Sequence, residues 1–256
     1  MKIKRVPTGI PGFDELVQGG FPSGSCVLIT GNPGTGKTIF GLQYIYNGAI
    51  KFGERGLYVN ISIPTRTLLE QASMFGWDMK RLQDQNMVNF LNISLDTLDQ
   101  NISELIIENI RNNEIERAVI DSISILATNA PLYKSLNEIS VVDIMERKSI
   151  FSPPILGDYV VKKFVYNFID RLRRADHCTI LVICEACNSG DYLSRDTVSE
   201  FACDGVIKME HIVLAGGSRR MISIVKMRST DCETIPHNFE IEKEGIIVKP
   251  LKEETI

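Results

Sequence analysis

The stretch Gly31-Asn32-Pro33-Gly34-Thr35-Gly36-Lys37-Thr38 follows an apolar run, Cys26 to Thr30, and matches the P-loop pattern G-x-x-x-x-G-K-[ST] at every position. Glycines let backbone N–H groups turn inward around phosphate oxygens, and a helix beginning at Lys37 directs the positive end of its dipole at them. We expect Lys37 to neutralise the β- and γ-phosphates and Thr38 to bind Mg²⁺. The stretch therefore predicts a strand, a phosphate-binding loop and a helix that together bind a nucleoside triphosphate.

Composition limits the class of protein. The 256 residues are 44% hydrophobic and fit one α/β domain, residues 1–256. The formal net charge of −4 at pH 7 removes the bulk attraction that drives non-specific binding to nucleic acid. Six cysteines at irregular positions are typical of a reducing compartment, so we expect a cytoplasmic protein. No apolar stretch is long enough for a membrane span, and the N-terminus does not resemble a signal peptide.

Apolar strand-like runs alternate with helical patterns, which predicts an α/β fold with a mostly parallel twisted sheet flanked by helices. The last runs lack helices between them and predict an antiparallel meander. Residues 128–158 break the rhythm, and we expect an excursion from the core that ends in a loop, Ser152 to Asp158. The predicted strands are Cys26 to Thr30, Gly56 to Ile61, Val88 to Ile93, Ala118 to Asp121, Thr179 to Cys184, Val206 to Val213, Met221 to Met227 and Phe239 to Val248; predicted helices include Pro64 to Gly76, Leu98 to Arg111 and Tyr159 to about Asp176.

Asp121 ends a buried β-branched run, which is where a P-loop site needs its second acidic group. We expect its carboxylate to hold the Mg²⁺ shell through Thr38 or a water molecule. Farther along, Cys184-x-x-Cys187 invites a metal interpretation. A structural zinc needs four ligands and the chain has no second well-spaced pair, so buried thiols are the preferred interpretation.

Five segments together resemble the KaiC family of RecA-type ATPases, in its single-domain archaeal form, with the RadA recombinases as a related family. They are Thr8-Gly9 to Pro22, the P-loop, Phe75-Gly76-Trp77-Asp78, Ile120-Asp121-Ser122 and Lys226-Met227-Arg228-Ser229-Thr230. The resemblance spans most of the chain, with about residues 128–158 outside it. The resemblance implies a RecA-like P-loop NTPase core that binds ATP with Mg²⁺. It also implies a ring, such as a hexamer, or a filament, with the nucleotide at the subunit interfaces.

One departure from the family concerns hydrolysis. In the KaiC pattern two adjacent glutamates follow the second core strand, and one of them activates the attacking water. They align here with Ser62 and Ile63. Neither side chain accepts a proton from water, so general-base assistance worth about 10²- to 10⁴-fold is missing at that position. We therefore expect ATP binding with weak or absent hydrolysis.

The resemblance also assigns roles to residues outside the P-loop. Glu185 matches a glutamate of the KaiC pattern, and it is either a surrogate base, a γ-phosphate sensor or a structural ion-pair carboxylate. Lys226 and Arg228 are one residue apart on a strand-like run and project to the same face. In the family such a pair reaches a neighbour's γ-phosphate; the alternative is a solvated edge strand. The family's adenine-side histidine aligns with Cys232, so base contacts stay open.

Three functions are compatible with these observations. The preferred one is an ATP-binding KaiC-like protein that forms a ring or interacts with a protein partner through residues 128–158, because long insertions in compact domains are often functional. The second is a RadA-like recombinase paralogue that binds single-stranded DNA; near-neutral charge in residues 131–163 and 186–200 weakens it, since such loops release few counterions. The third is an active ATPase with Glu185 as base.

Overall fold

A computed structural model describes residues 3–61, 63–94, 102–128, 153–175, 177–187, 192–214 and 217–249. Within these residues nine strands form one sheet, and a two-stranded sheet caps it at the N-terminus. The strands are β1 Arg5–Val6, β2 Phe21–Pro22, β3 Cys26–Gly31, β4 Gly56–Ile61, β5 Val88–Ile93, β6 Arg117–Asp121, β7 Thr179–Glu185, β8 Gly205–Leu214, β9 Gly217–Met227, β10 His237–Glu242 and β11 Gly245–Lys249. The helices are α1 Lys37–Asn47, α2 Thr65–Ser73, α3 Met79–Asp84, α4 Ile102–Asn112, α5 Ile123–Thr128, α6 Pro153–Leu172 and α7 Ser199–Ala202, with a 3-10 turn over Asp14–Val17 and a π turn over Gly48–Phe52.

The large sheet has the order β11-β10-β9-β8-β3-β7-β6-β4-β5. The six strands from β8 to β5 are parallel, and β9, β10 and β11 are antiparallel. Strand β3 lies near the middle of the sheet between β8 and β7. The carboxyl ends of the parallel strands therefore meet at one edge, and we call this the P-loop edge, marked by Gly31, Asp121 and Glu185.

The central strands are buried on both faces, which explains why they consist of continuous apolar runs. Every residue of β3 is buried, with Val27 and Ile29 packed on one face and Cys26 and Leu28 on the other. Helices α1, α2 and α3 cover the first face, and α4, α5 and α6 cover the second. The sheet is thus the middle layer of three, as expected of helix-connected parallel strands.

The N-terminal cap fixes the position of helix α1. The carboxylate of Asp14 accepts hydrogen bonds from the backbone N–H and hydroxyl of Thr8, at 2.8 and 2.7 Å, and from the N–H of Gly9 at 2.9 Å. Thr8 in turn accepts a hydrogen bond at its carbonyl oxygen from Asn47 at the end of α1, at 3.1 Å. The helix that follows the P-loop is therefore tied to the cap at its far end.

The predicted α/β architecture and C-terminal meander are confirmed, and two local predictions are wrong. The last predicted strand, Phe239 to Val248, is a hairpin of β10 and β11 that turns before Gly245, whose φ of 114° suits glycine. The predicted loop over Ser152 to Asp158 is helical from Pro153 onward. Proline at the start of α6 breaks no helix, because its missing N–H has no partner in the first turn.

Residues 129–152 lie outside the described residues, and so does the greater part of the predicted excursion over 128–158. Thr128 ends helix α5, and residues 153–158 belong to helix α6. Among the helices that the structure describes, none combines the length and apolar character needed to cross a membrane.

Candidate nucleotide-binding site

The P-loop connects β3 to α1 at the P-loop edge. Gly34 and Gly36 have φ values of 80° and 102°, in the left-handed region that side chains rarely adopt. A Cβ added at Gly31 would lie 2.2 Å from the carbonyl oxygen of Met209, so the strand requires glycine at this point. The buried Thr35 hydroxyl donates to the Asn32 carbonyl at 2.9 Å and closes the loop on itself. The sequence motif therefore folds as predicted, with its glycines at positions that need them.

Lys37 begins α1, and its ammonium group stays at the loop. Its Nζ donates to the carbonyl oxygens of Gly31 and Asn32, at 2.6 and 2.9 Å. Partial burial lowers the pKa of Lys37, while the carboxylates of Asp121 and Glu185 act in the opposite direction. Gly36 precedes the helix and has no side chain to cap it, so the first N–H groups of α1 are left for an anion.

Asp121 lies at the centre of a hydroxyl–carboxylate cluster. Its Oδ2 accepts hydrogen bonds from the Thr38 hydroxyl and from the Tyr58 hydroxyl, each at 2.8 Å. Burial raises the pKa of Asp121 from its ordinary value of 3.8, opposed by these two hydrogen bonds and by the charge of Lys37. The predicted pair Thr38 and Asp121 is thus brought together, and it presents the hard oxygen atoms that Mg²⁺ prefers.

Tyr58 was missed by reasoning from the sequence. It lies in the middle of β4, is completely buried, and burial followed by the nearby Asp121 carboxylate raises its pKa well above 10.0. A neutral phenol therefore donates its hydrogen to the carboxylate. In the sequence Tyr58 is one aromatic residue of an apolar strand. Its contact with Asp121 becomes visible only when β4 and β6 are placed side by side in the sheet.

A cavity of about 470 Å³ opens beside this cluster. Its lining includes Lys37, Thr38 and Asp121 together with Ile63 and Glu185. Ile63 presents an aliphatic side chain to the cavity, and Ser62 lies outside the described residues. The cavity therefore combines an ammonium group, a hydroxyl group and two carboxylates with the aliphatic side chain of Ile63.

Glu185 ends β7 opposite Gly31 and faces the same cavity. Its Oε2 forms an ion pair with NH1 of Arg195 at 2.6 Å, and its carbonyl oxygen accepts a hydrogen bond from the Arg195 N–H at 2.9 Å. The Glu185 N–H donates to the Ser124 hydroxyl at 2.8 Å. Arg195 therefore holds Glu185 by both its side chain and its backbone.

Lys226 and Arg228 lie at the other end of the sheet. Met227, between them, pairs with Gly205, and Gly205 pairs with Val27 at the beginning of β3. At this end of the sheet Asp204 is hydrogen-bonded through its backbone to both Cys26 and Arg228. We call the end of the sheet that these three residues mark the opposite edge. Five steps along β3 lead from Cys26 to Gly31, a distance of about 17 Å at 3.3 Å per step. Arg228 is therefore too far from the P-loop of its own chain to contact a phosphate bound there.

The six cysteines are reduced thiols, and four of them are buried. Cys184 is buried in β7, and burial raises the pKa of its thiol to about 12, with its Sγ 3.3 Å from the Ser124 hydroxyl. Cys26 and Cys203 lie with their sulfur atoms 3.8 Å apart. Cys232 is partly buried against the core. No group of three or more histidine, cysteine or acidic side chains suited to a metal ion occurs in the part of the chain that the structure describes.

Comparison with known proteins identifies the family. The model of the family described as "ATPase: KaiC" matches residues 6–146 and 149–253. It thus extends across all but two residues of the segment 128–158, which the sequence motifs alone left outside the resemblance. A circadian clock oscillator protein KaiC of Prochlorococcus marinus is 29% identical over 257 residues, which cover 97% of this chain and 45% of that protein. The chain spans about half the length of such KaiC relatives.

Two archaeal proteins match over nearly their whole length. A UPF0273 protein of Pyrococcus horikoshii is 29% identical over 265 residues, 97% of this chain and 95% of that protein. The crystal structure of a KaiC-like protein from the same species superimposes with a TM-score of 0.79 at 30% identity, covering 97% of this chain and 100% of the other. None of these proteins is named as a recombinase.

Proposed function

Because the chain belongs to the KaiC family of ATPases, we propose that it binds ATP with Mg²⁺ in the P-loop cavity and hydrolyses it weakly or not at all. The observation that carries this proposal is the contact between the Thr38 hydroxyl and Asp121 Oδ2, 2.8 Å apart beside the P-loop. A hydroxyl and a carboxylate at the mouth of a phosphate-binding loop are the two groups that a P-loop site uses for its metal ion.

The residues fit both the nucleotide and the metal. The N–H groups of the glycine loop and of the first turn of α1 bind phosphate oxygens, and the Lys37 ammonium exchanges its two carbonyl partners for them. Thr38 supplies a direct oxygen ligand, and Asp121 orients it or a water molecule. When bound, Mg²⁺ neutralises charge on the β- and γ-phosphates.

The weak-hydrolysis half of the proposal depends on what surrounds the attacking water. Ile63 contributes only aliphatic surface to the cavity, and Glu185 is engaged with Arg195. Among the described residues that line the cavity, a water molecule at the γ-phosphate then finds no unpartnered base, which costs about 10²- to 10⁴-fold in rate. The alternative is an active ATPase in which Glu185 serves as the base, and its position in the cavity lining is the observation in its favour.

Lys226 and Arg228 complete the proposal in an assembly. Measured along β3, Arg228 lies about 17 Å and Lys226 about 10 Å from their own P-loop, and two strands away from it. A role of this pair at a γ-phosphate therefore requires the P-loop of another subunit. The proposal therefore includes assembly into a ring, such as a hexamer, or into a filament, with nucleotide bound at the subunit interfaces. A cytoplasmic location, and a protein partner bound through residues 128–158, belong to the same proposal.

A binding experiment tests the central part. We expect Lys37→Ala to weaken ATP affinity by 100-fold or more, on the order of 3 kcal/mol, because it removes a charge-assisted contact to two phosphates. Lys51→Ala is the matched control: this lysine donates to the Gly9 carbonyl at 2.7 Å, away from the cavity. Calorimetric titration with ATP and Mg²⁺ measures both. Equal affinities in the two variants would remove the P-loop from the proposal.

A further inference from the structure

The carboxylate of Asp204 joins three elements at the opposite edge of the sheet. Its Oδ1 accepts hydrogen bonds from NH1 of Arg228 at 3.0 Å and from NH2 of Arg173, at the end of α6, at 3.1 Å. Its Oδ2 accepts the backbone N–H of Cys26 at 3.0 Å. Asp204 therefore contacts the central strand β3, helix α6 and the residue that follows β9.

The backbone around Asp204 is fixed independently of the two arginines. The Asp204 N–H donates to the Cys26 carbonyl at 2.8 Å, and the Asp204 carbonyl accepts the Arg228 N–H at 3.0 Å. The carboxylate thus has little freedom, because it is attached on both sides to the central sheet. Its side chain is only 20% exposed, whereas that of Arg228 is 59% exposed.

The guanidinium of Arg228 is held at one nitrogen only. NH1 contacts Asp204, and within the described residues Nε and NH2 make no hydrogen bond. Arginine presents five N–H donors in a planar fork, so anchoring one nitrogen orients the others without using them. Because the side chain is largely exposed, the remaining N–H donors of this fork are suited to an anion.

We propose that Asp204 is a positioning residue that orients Arg228 toward the γ-phosphate bound by a neighbouring subunit. This inference rests on the proposed function, in which Arg228 acts across a subunit interface. Arg173 forms a second ion pair with the same carboxylate oxygen, and positioning of Arg228 does not require it, because the contacts of Asp204 with Cys26 and with the Arg228 backbone already hold Asp204 in place. The arrangement pre-orders a long side chain that would otherwise lose rotamer freedom on binding.

The test compares assembly in ATP with assembly in ADP, because only ATP offers a γ-phosphate. Analytical ultracentrifugation gives the subunit concentration at half-assembly with each nucleotide, and their ratio is the preference for ATP. We expect Asp204→Asn to reduce this preference about fivefold to tenfold, approaching the loss in Arg228→Ala, because a charge-assisted hydrogen bond becomes a neutral one. ATP affinity of the dilute subunit should stay within about twofold of wild type, since its own P-loop is distant.

Two control variants separate positioning from a structural role. Asp170→Asn removes an exposed carboxylate that pairs with Arg174 at 4.0 Å on the same helix as Arg173, and it should retain the preference. Arg173→Met removes the other ion pair of Asp204 and should also retain most of the preference. Equal losses in Arg173→Met and Asp204→Asn would overturn the inference, because Asp204 would then act by tying α6 to the sheet.

A further variant tests the same inference without changing Asp204, in case Asp204→Asn does not fold. Arg228→Lys retains the charge at an exposed position but lacks the fork, so one ammonium cannot be oriented by Asp204 while it contacts a phosphate. We expect it to lose nearly as much preference as Arg228→Ala. If Arg228→Lys behaves as wild type, or if Asp204→Asn retains a preference that Arg228→Ala loses, positioning by Asp204 is wrong while the proposed function stands. If Arg228→Ala also has no effect, the contact between subunits is wrong and the inference with it.

Discussion

Asp121 and Glu185 end neighbouring strands at the same edge of the sheet, yet their surroundings differ. Asp121 is 5% exposed and accepts hydrogen bonds from two hydroxyl groups. Glu185 is 40% exposed at its side chain and forms an ion pair with Arg195. Mg²⁺ at the Thr38 and Asp121 oxygens would supply the charge that this buried carboxylate lacks, whereas Glu185 already has a cation. The P-loop edge thus carries one buried carboxylate held by hydroxyl groups and one partly exposed carboxylate held by an arginine, and the first suits the metal ion of the proposed function.

The largest expected effect comes from restoring a base. Ile63→Glu places a carboxylate in the cavity lining and should raise phosphate release by about 100-fold, the range of general-base assistance. Ile63→Gln has the same size without basicity and serves as the control. Colorimetric measurement of phosphate release compares the two, and equal rates would show that the missing base at position 63 is not what limits turnover.

The second effect concerns the metal ion. Thr38→Val keeps the shape of the side chain and removes the hydroxyl that contacts Asp121. We expect ATP affinity in the presence of Mg²⁺ to fall about 10- to 100-fold, and affinity in EDTA to change little. Titrations with and without Mg²⁺ measure both values. A uniform loss in the two conditions would mean that Thr38 acts through the fold rather than through the metal.

A smaller effect tests the alternative base. If Glu185 takes no proton, Glu185→Gln changes the slow phosphate release by less than about threefold, since general-base loss would cost at least about 10²-fold. Arg195→Ala, which frees the carboxylate, should raise the rate by no more than about fivefold, because an exposed ion pair contributes at most about 1 kcal/mol. A 100-fold drop in Glu185→Gln would establish the active-ATPase alternative.

The smallest effect is on stability. The pKa of Asp121 is raised above 3.8 in the folded chain, so ionisation opposes folding as the pH rises from 3.8 through the folded value. Without Mg²⁺ and nucleotide, Asp121→Asn should therefore melt a few degrees above wild type at pH 7. The difference should shrink as the pH falls toward 3.8. Melting curves at several pH values measure it, and a lower melting temperature at pH 7 would contradict this electrostatic account.

Much of the fold could be predicted because the pattern and the chemistry agree locally. The P-loop needs glycines and Lys37 at fixed spacing, and Asp121 follows a buried apolar run. The hairpin turn was missed although a polar stretch that ends in glycine, Glu242 to Gly245, interrupts the apolar pattern between Phe239 and Val248 and is typical of a turn. The start of α6 was missed because two prolines were interpreted as a loop, although proline suits the first turn of a helix.

The rest of the site depends on contacts between residues distant in sequence. Tyr58 and Asp121 are 63 residues apart and meet only because β4 and β6 are neighbours. Arg195 and Glu185 are 10 positions apart in sequence, and Arg173 and Asp204 are 31 positions apart. Charged and hydroxyl side chains of this kind carry no periodicity, so their partners follow from the sheet order rather than from local pattern.

The most direct test of binding without turnover is one sample of wild-type protein with ATP and Mg²⁺, followed for bound nucleotide and for released phosphate. Typical enzymes turn over about 10 times per second, so loss of the general base predicts about 0.1 to 0.001 per second or less. The account predicts near-stoichiometric binding of intact ATP at that slow rate. Release at 1 per second or faster, abolished in Lys37→Ala, would contradict it.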